Sequence, residues 1–165
     1  KHTSQVIAYQ EKPNAPVQYQ ITSKLDALTV LKTTGSSFSN FHRDEYRTLK
    51  DADDRILSTI VAIEWSYHNL HNSASVYEIN FDEIRAAAKH YALDEFSNKP
   101  SPSVQATLYD TANRIINNYA PVEKVSISLP NPNWTRNNVR DLYIPIAHPN
   151  GLIKATVKRN VPSKY

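Results

Sequence analysis

The run of residues 56–67 is the most regularly patterned part of this chain and constrains its fold most strongly. Apolar and polar residues alternate along it, with Ile60 as an apolar exception on the polar face. Side chains of a strand point to opposite faces in turn, so this period of two predicts a strand with one buried face, typical of an antiparallel sheet. The predicted buried set is Leu57, Thr59, Val61, Ile63, Trp65 and Tyr67, and the opposite set is Ser58, Ala62, Glu64 and Ser66.

Three other segments are predicted to be strands of the same sheet. Residues 24–33 are rich in Leu, Val and Thr and are followed by Gly35. Residues 122–129 and 152–157 also alternate; their predicted inward sets are Val125, Ile127 and Leu129, and Ile153, Ala155 and Val157. Residues 1–23 contain Pro13 and Pro16 and are predicted to be a linker that ends in a short edge strand. The polar connection, residues 131–151, is predicted to be a loop.

Two helices are predicted between the strand of residues 56–67 and the strand of residues 122–129. Asn80 and Glu83 have the spacing of a capping box, and Ser101-Pro102 has the pattern of a helix start. Apolar residues then recur at helical spacing: Phe81, Ile84, Ala88 and Tyr91 in the first helix, and Val104, Leu108, Ala112, Ile115 and Tyr119 in the second. The order strand, strand, helix, helix, strand, strand predicts an α+β fold, with a four-stranded antiparallel sheet and two helices on one face.

Composition excludes several kinds of function. The 165 residues include no cysteine, so disulfides and thiolate chemistry are ruled out, and only two glycines, which rules out a glycine-rich phosphate loop. The six histidines are scattered and predict no metal site. A net charge of +3, spread along the chain, suits a small anionic ligand better than nucleic acid. No apolar run is long enough to span a bilayer, so we expect no membrane association.

Four side chains are candidates for binding such a ligand, and each has a plainer alternative. Arg55 opens a strand and carries a planar fork suited to an anionic heterocycle, or it pairs with Asp53 or Glu45. Phe38 is either a stacking platform or a loop anchor. Gln105 lies in the first turn of a helix, and its alternative role is that of a plain surface residue. Asn131 lies at a strand end, and its alternative role is that of a turn residue.

Four blocks of the sequence carry a resemblance to a known family. They are LKTTGSSFSNFHRDEYRTLKDADDRILST (residues 31–59), SPSVQATLY (101–109), SLPN (128–131) and HPNGLIKATVKR (148–159). In order and spacing they resemble urate oxidase (uricase), most closely the eukaryotic, fungus-like enzymes. The resemblance covers nearly the whole chain.

This resemblance implies a fold and a reaction. Urate oxidases consist of two tandem tunnelling-fold domains of ββααββ order, and residues 24–161 resemble only the C-terminal one, with residues 162–165 as a tail. The family oxidises urate with dioxygen to 5-hydroxyisourate and hydrogen peroxide, without a metal or organic cofactor, in an oligomer with active sites at subunit interfaces. The catalytic lysine, threonine and aspartate belong to the N-terminal half. This chain has no methionine at position 1, so it is expected to be a processed or cleaved piece of a longer protein. The resemblance further implies an N-terminal half that is supplied as a second chain or lost by cleavage before Lys1.

The resemblance also implies roles for individual residues. Phe38 would stack on the purine ring, Arg55 would clamp urate through two hydrogen bonds, and Val104 would offer a backbone contact. Gln105 would bind the opposite ring edge, and Asn131 would face the dioxygen or water site, as the one catalytic residue of this half.

Several positions depart from the family pattern. Asn133 stands where the family has a proton-transferring histidine, Ile60 and Ala62 stand at two usually acidic positions, and the loop after Asn133 is shorter. The end Ser163-Lys164-Tyr165 resembles the peroxisomal Ser-Lys-Leu signal without its leucine, so the expected compartment is the peroxisome, or otherwise the cytoplasm. Three hypotheses stay open: a urate oxidase half-subunit, a non-catalytic relative with a structural or assembly role, and a different tunnelling-fold pterin or purine binder.

Overall fold

The fold is built on one large antiparallel sheet. The computed structural model describes residues 1–68, 70–137, 142–148 and 150–160. The sheet has the order β1-β2-β3-β4-β7, and β5 and β6 form a separate two-stranded hairpin. The strands are β1 (His2–Tyr9), β2 (Gln18–Lys32), β3 (Leu57–Tyr67), β4 (Val122–Asn131), β5 (Trp134–Asn137), β6 (Leu142–Pro145) and β7 (Gly151–Lys158). The helices are α1 (Ser73–Tyr77), α2 (Phe81–Asn98) and α3 (Val104–Asn118). The predicted α+β class with an antiparallel sheet is confirmed.

β3 is the central strand, and its predicted two faces are confirmed. Every second residue from Leu57 to Tyr67 is buried. The indole Nε1 of Trp65 donates to the Tyr67 hydroxyl at 2.6 Å, so the polar atom of this buried side chain has a partner. Burial raises the pKa of Tyr67 above its ordinary value.

The helices cover one face of the sheet and close a single core. Ile84, Ala88, Ala92 and Phe96 of α2 and Leu108, Ala112, Ile115 and Ile116 of α3 are buried in one cluster with the inward residues of β2, β3 and β4. Asn80 caps α2, because its Oδ1 accepts from the Glu83 amide at 3.1 Å. The predicted capping box is only half formed: Glu83 accepts from the Asn80 side chain at 3.1 Å instead of reaching its backbone amide.

The predicted strand count was wrong, because residues 1–23 contribute a fifth strand. β1 pairs antiparallel with β2 from His2 opposite Leu25 to Tyr9 opposite Gln18. All its residues are exposed, so it has no buried face and leaves no apolar period in the sequence. The hydrogen-bond ladder with β2, which itself begins at Gln18, makes it a strand.

The predicted loop between the last two strands contains the β5–β6 hairpin instead. Trp134 opposes Pro145 and Asn137 opposes Leu142. Of the inward set predicted for β7, Ile153 and Val157 are half-buried, but Ala155 is exposed because β7 lies at the sheet edge.

No helix in the described ranges is long and apolar enough to cross a membrane. The predicted tail, residues 162–165, lies outside the described residues.

Candidate functional site

The five predicted site residues meet in one small pocket at the end of the sheet. Phe38, Arg55, Val104, Gln105 and Asn131 all line it, although they come from the β2–β3 connection, a helix start and a strand end. The remaining lining residues are Ser36, Ser37, Ile56, Leu57 and Ile153. Its volume of about 50 Å³ is well below the few hundred Å³ usual for a small-molecule site. The pocket therefore presents only part of a binding site.

The loop after β2 is joined to the start of α3 by backbone hydrogen bonds. Gly35 has a φ of +64°, a left-handed conformation that glycine adopts without strain, and it turns the chain out of β2. The Ser101 amide then donates to the Gly35 carbonyl, and the Ser37 amide donates to the Ser101 carbonyl, each at 2.8 Å. The Ser39 amide donates to the Pro102 carbonyl at 3.0 Å. These bonds place Phe38 beside the first residues of α3.

Phe38 is held from two other directions as well. It exchanges backbone hydrogen bonds with Ala52, of 2.7 and 3.1 Å, which form an isolated antiparallel bridge. Its ring stacks on Phe41, with centroids 4.6 Å apart and an interplanar angle of 21°. An aromatic ring fixed in this way is a rigid wall of the pocket.

Arg55 brings a cation to the pocket. Its amide donates to the Ser36 carbonyl at 3.1 Å, and its guanidinium carbon lies 5.4 Å from the centroid of the Phe38 ring. Its Nη2 donates to Oδ1 of Asn133 at 3.3 Å. The alternative of an ion pair with Asp53 or Glu45 is not found, since no ion pair of Arg55 occurs in the part of the chain that the structure describes. A guanidinium bound to a neutral amide keeps its full charge for an anionic ligand.

Val104 and Gln105 are the first two residues of α3, but the helix start was predicted wrongly. The N-cap is Ser103, whose side chain accepts from the Ala106 amide at 3.0 Å. Ser101 is instead buried, and its hydroxyl lies 2.6 Å from that of Thr107. Because the first backbone amides of a helix have no partner within it, this end of α3 presents hydrogen-bond donors beside the pocket.

Asn131 is the last residue of β4 and pairs with Gly151 of β7. Two residues on, the Asn133 amide donates to Oδ1 of Asn150 at 3.1 Å, and its carbonyl accepts from the Ile146 amide at 3.0 Å. Asn133 was noted in the sequence only as a departure from the family pattern. The sequence did not predict its contact with Arg55. The position of Asn133 depends on its hydrogen bonds with residues 146 and 150, and such contacts leave no local signal in the sequence.

The pocket is built for binding more than for proton transfer. Among the described residues that line it, Arg55 is the only charged one, and none of the others is an acid, a histidine, a lysine or a tyrosine. Within the described residues, no group of three or more His, Cys, Asp or Glu could hold a metal ion. The arrangement supplies a charge, hydrogen bonds and an aromatic wall to one part of a site for a flat anion.

Comparison with known proteins gives the family. A protein-family model described as Uricase matches residues 21–154, most of the chain. The chain belongs to the uricase family. It is 37% identical over 161 residues to the uricase of Cyberlindnera jadinii, and the match covers 88% of this chain and 53% of that protein. It is 40% identical over 155 residues to the uricase of Aspergillus flavus, covering 85% and 51%.

The solved structures agree with the uricase assignment. The crystal structure of the uricase from Arthrobacter globiformis matches this fold with a TM-score of 0.76 at 27% identity, covering 96% of this chain and 54% of that one. This uricase-family chain thus spans about half the length of the relatives it matches.

Proposed function

We propose that this chain is a urate oxidase half-subunit that binds urate in the pocket formed by Phe38, Arg55, Val104, Gln105 and Asn131. Together with an N-terminal half, it would oxidise urate by dioxygen to 5-hydroxyisourate and hydrogen peroxide. The observation that carries the proposal is the Arg55 guanidinium, which forms no ion pair among the described residues and shares a pocket with Phe38 and Gln105 in a chain of the uricase family.

The chemistry of urate matches these side chains. Urate is a flat anion with hydrogen-bonding groups on both ring edges. The two-pronged guanidinium of Arg55 suits one edge, Gln105 and the α3 amides suit the other, and Phe38 suits the ring face. Asn131 would face dioxygen above the ring. Holding an electron-rich anion flat in a dry site positions it to give electrons to dioxygen without a metal or organic cofactor.

The pocket has two features of an incomplete site. It is too small for a purine, and Arg55 is the only ionisable residue that lines it in the part of the chain that the structure describes. The proton transfers of the reaction therefore need a group from elsewhere, which the resemblance to urate oxidase assigns to a lysine, a threonine and an aspartate of the N-terminal half. The proposed partner is accordingly that half, in an oligomeric assembly.

A second candidate function is a non-catalytic relative that serves as a structural or assembly subunit. Asn133 favours it, because an amide cannot titrate as the family's histidine does. Ile60 also favours it: this apolar residue is half exposed on the helix-free face of the sheet, at a position that is usually acidic in the family. Binding without turnover would support this second function.

The decisive experiment mixes the chain with the N-terminal half of a related uricase and follows the ultraviolet absorbance of urate and the release of hydrogen peroxide. We expect turnover by the mixture, and loss of binding and turnover in Arg55→Ala with the fold unchanged by circular dichroism. Arg55→Lys keeps the charge but not the fork, and we expect it to remain at least tenfold weaker. Arg85→Ala, which removes an arginine that pairs with Asp82 on the surface of α2, is the matched control. If the mixture neither turns over urate nor binds 8-azaxanthine, the proposal is overturned.

We propose the peroxisome as the compartment of this protein, by resemblance to the family. The cytoplasm is the alternative. The C-terminal residues 163–165 lie outside the described residues, so this proposal rests on their sequence. A fluorescent fusion ending in Tyr165→Leu restores the Ser-Lys-Leu signal and is expected to be peroxisomal. A cytoplasmic wild-type fusion beside a peroxisomal variant would assign the native chain to the cytoplasm.

A further inference from the structure

Asn150 and Gly151 form a reactive dipeptide at the start of β7. They are the only Asn-Gly pair in the sequence. Both residues are exposed, and a methyl group added at Gly151 would meet no atom within 4 Å. Because glycine has no β-carbon, its backbone turns freely and its amide nitrogen is poorly shielded. This nitrogen can therefore approach the side chain of the asparagine before it.

The Asn150 side chain is held by backbone groups of two other residues. Its Oδ1 accepts from the Asn133 amide at 3.1 Å, and its Nδ2 donates to the Ala147 carbonyl at 2.7 Å. An N–H aimed at a carbonyl oxygen stabilises the negative charge that develops there when a nucleophile attacks the carbonyl carbon. The Asn133 amide thus has the place of an oxyanion-hole donor for attack at Cγ of Asn150.

Gly151 also lies at the end of its strand. Within the described residues β7 is an outer strand, and Gly151 opposite Asn131 is the last pair of its ladder with β4. The ends of such strands open locally at little cost in free energy. An opening of this kind lets the Gly151 nitrogen reach Cγ of Asn150 without unfolding of the core.

We propose that Asn150 is a site of spontaneous deamidation in the folded chain. The Gly151 nitrogen forms a bond with Cγ of Asn150, the Cγ–Nδ2 bond breaks, and ammonia leaves with the proton of the Gly151 amide. Water then opens the five-membered imide at either carbonyl, which yields aspartate or isoaspartate. No electron is gained or lost, and solvent water is the only co-reactant.

The modification places a negative charge beside the candidate site. Asn150 borders a surface cavity together with Asn131, which also lines the pocket of Arg55. The Asn133 amide donates to Asn150, and the Asn133 side chain accepts from Arg55. A carboxylate here repels an anion bound at Arg55, so we expect the modified chain to bind such a ligand more weakly. This consequence rests on the proposed function, whereas the deamidation does not.

The test incubates the full chain at mildly alkaline pH and follows it by peptide mass spectrometry. Deamidation raises the mass of a peptide by about 1 Da, because an NH₂ group is replaced by OH. A protein isoaspartyl methyltransferase labels the isoaspartate product. We expect Asn150 to convert faster than every other asparagine. Asn72 is the internal comparison, because it is exposed and its Oδ1 also accepts from a backbone amide, that of Ser75, but Ser73 follows it.

Gly151→Ala is the variant that blocks the reaction. The open space at Gly151 accommodates the methyl group, so the fold should be kept, and we expect the rate at Asn150 to fall by about tenfold or more. The wild-type chain unfolded in urea gives the rate of the sequence without the fold. Because the Asn133 donor offsets the lost backbone freedom, we expect the folded chain to convert within about tenfold of that rate.

A folded chain that keeps Asn150 intact while the unfolded chain converts it would overturn the proposal. Equal rates in Gly151→Ala and wild type would do the same. Mass spectrometry reads the deamidation without urate, so failure here and failure of the proposed function are told apart.

Asn150→Asp reproduces the aspartate product and tests the consequence for binding. In the mixture with an N-terminal half, we expect it to bind 8-azaxanthine about twofold to fivefold more weakly than wild type. Asn72→Asp adds the same charge at the cap of α1 and is the matched control, with binding unchanged. Equal binding by the two variants would overturn the consequence.

Discussion

Arg55 is fixed at its backbone and at its guanidinium by different parts of the chain. The Ser36 carbonyl holds its amide, and Asn133, next to the β5–β6 hairpin, holds its Nη2. A flexible cation on a loop would lose side-chain entropy on binding a ligand, and these contacts reduce that loss. The neutral partner at Nη2 orients the charge without cancelling it.

Replacing Asn133 by histidine tests whether proton transfer limits this half-site. In the mixture with an N-terminal half, we expect Asn133→His to raise turnover by about a hundredfold, the lower end of the usual gain from a positioned acid or base. The gain should appear above about pH 6.5, where a free imidazole is neutral and can accept a proton. The measurement is the pH profile of kcat, with Asn133→Gln as the control that changes the side chain without adding a titrating group. Equal rates for both variants would contradict the expectation.

For single residues, the sequence indicated which side chains could bind a ligand, but it did not indicate the contacts that hold them in place. Arg55 was a candidate because a planar fork at the start of a strand suits an anionic ring, but its ion-pair alternative could not be dismissed until the structure placed Asn133 beside it. The joining of Phe38 to Gln105 depends on the bonds of Gly35 and Ser37 to Ser101, which are distant in sequence. Only the resemblance to urate oxidase connected these residues in advance.

Arg159 joins the end of α3 to two strands of the sheet. It follows β7, and its side chain donates to the backbone carbonyls of Ile116, Tyr119 and Val122. The last carbonyls of a helix have no intrahelical partner, and a cation there also favours the helix dipole.

We expect Arg159→Ala to lower the free energy of unfolding by about 2 kcal/mol, because three half-buried carbonyls lose a charged donor. Urea unfolding followed by circular dichroism measures this. Lys158→Ala, the exposed neighbour in the chain, should change the free energy by less than about 0.5 kcal/mol. Similar effects of both substitutions would show that Arg159 contributes only surface charge.

We expect the packing of α2 against α3 to depend on pH through Asp94, which accepts a hydrogen bond from Arg114. Hydrogen bonds from Arg114 of α3 and from Asn98 hold the pKa of Asp94 below its usual value. The unfolded chain thus binds the proton more readily, so stability is greatest above about pH 4 and falls as the pH drops through the lower pKa of the folded chain. In urea unfolding at a series of pH values, Asp94→Asn should lose stability relative to wild type near neutral pH but not at the acid end. Asp82→Asn, at an exposed surface pair, should run parallel to wild type.

Among the elements, β3 was predicted fully and β1 was missed for the same physical reason. β3 buries one face, so its alternation is visible in the sequence, while β1 is exposed throughout and is defined by its ladder with β2. The cap of α3 was predicted two residues early because Ser101 and Ser103 are equally good caps by type. Ser101 is instead used by Gly35 and Thr107, which are contacts of the folded chain.

Within the described residues, the sheet ends in two strands that are paired on one side only. β1 and β7 are the outer strands, and both are largely exposed. Val6, Ile7 and Leu152 are among the large apolar residues on this surface. Outer strands with unpaired backbone groups are places where another chain can add.

We expect an N-terminal half to cover at least one of these edges when it joins the chain. Hydrogen exchange measured with and without that half should show new protection in β1 or β7 and a higher oligomeric state by sedimentation. Exposed positions of α2, on the far side of the helix layer, serve as the internal control. Unchanged exchange at both edges in a mixture that turns over urate would place the joining surface elsewhere.

The pairing of β3 with β4 also governs when the pocket forms during folding. Ala62 opposes Ser128 across this pair, and α1, α2 and α3 all lie in the intervening chain. Contacts between such distant segments form slowly, because a long loop must close before they give any stability. Arg55 precedes β3, and Asn131 ends β4, so they come together only after this central pairing is made. A chain still being synthesised, with α3 complete but β4 not yet available, would have no site, so ligand capture would report that this long-range pairing has formed.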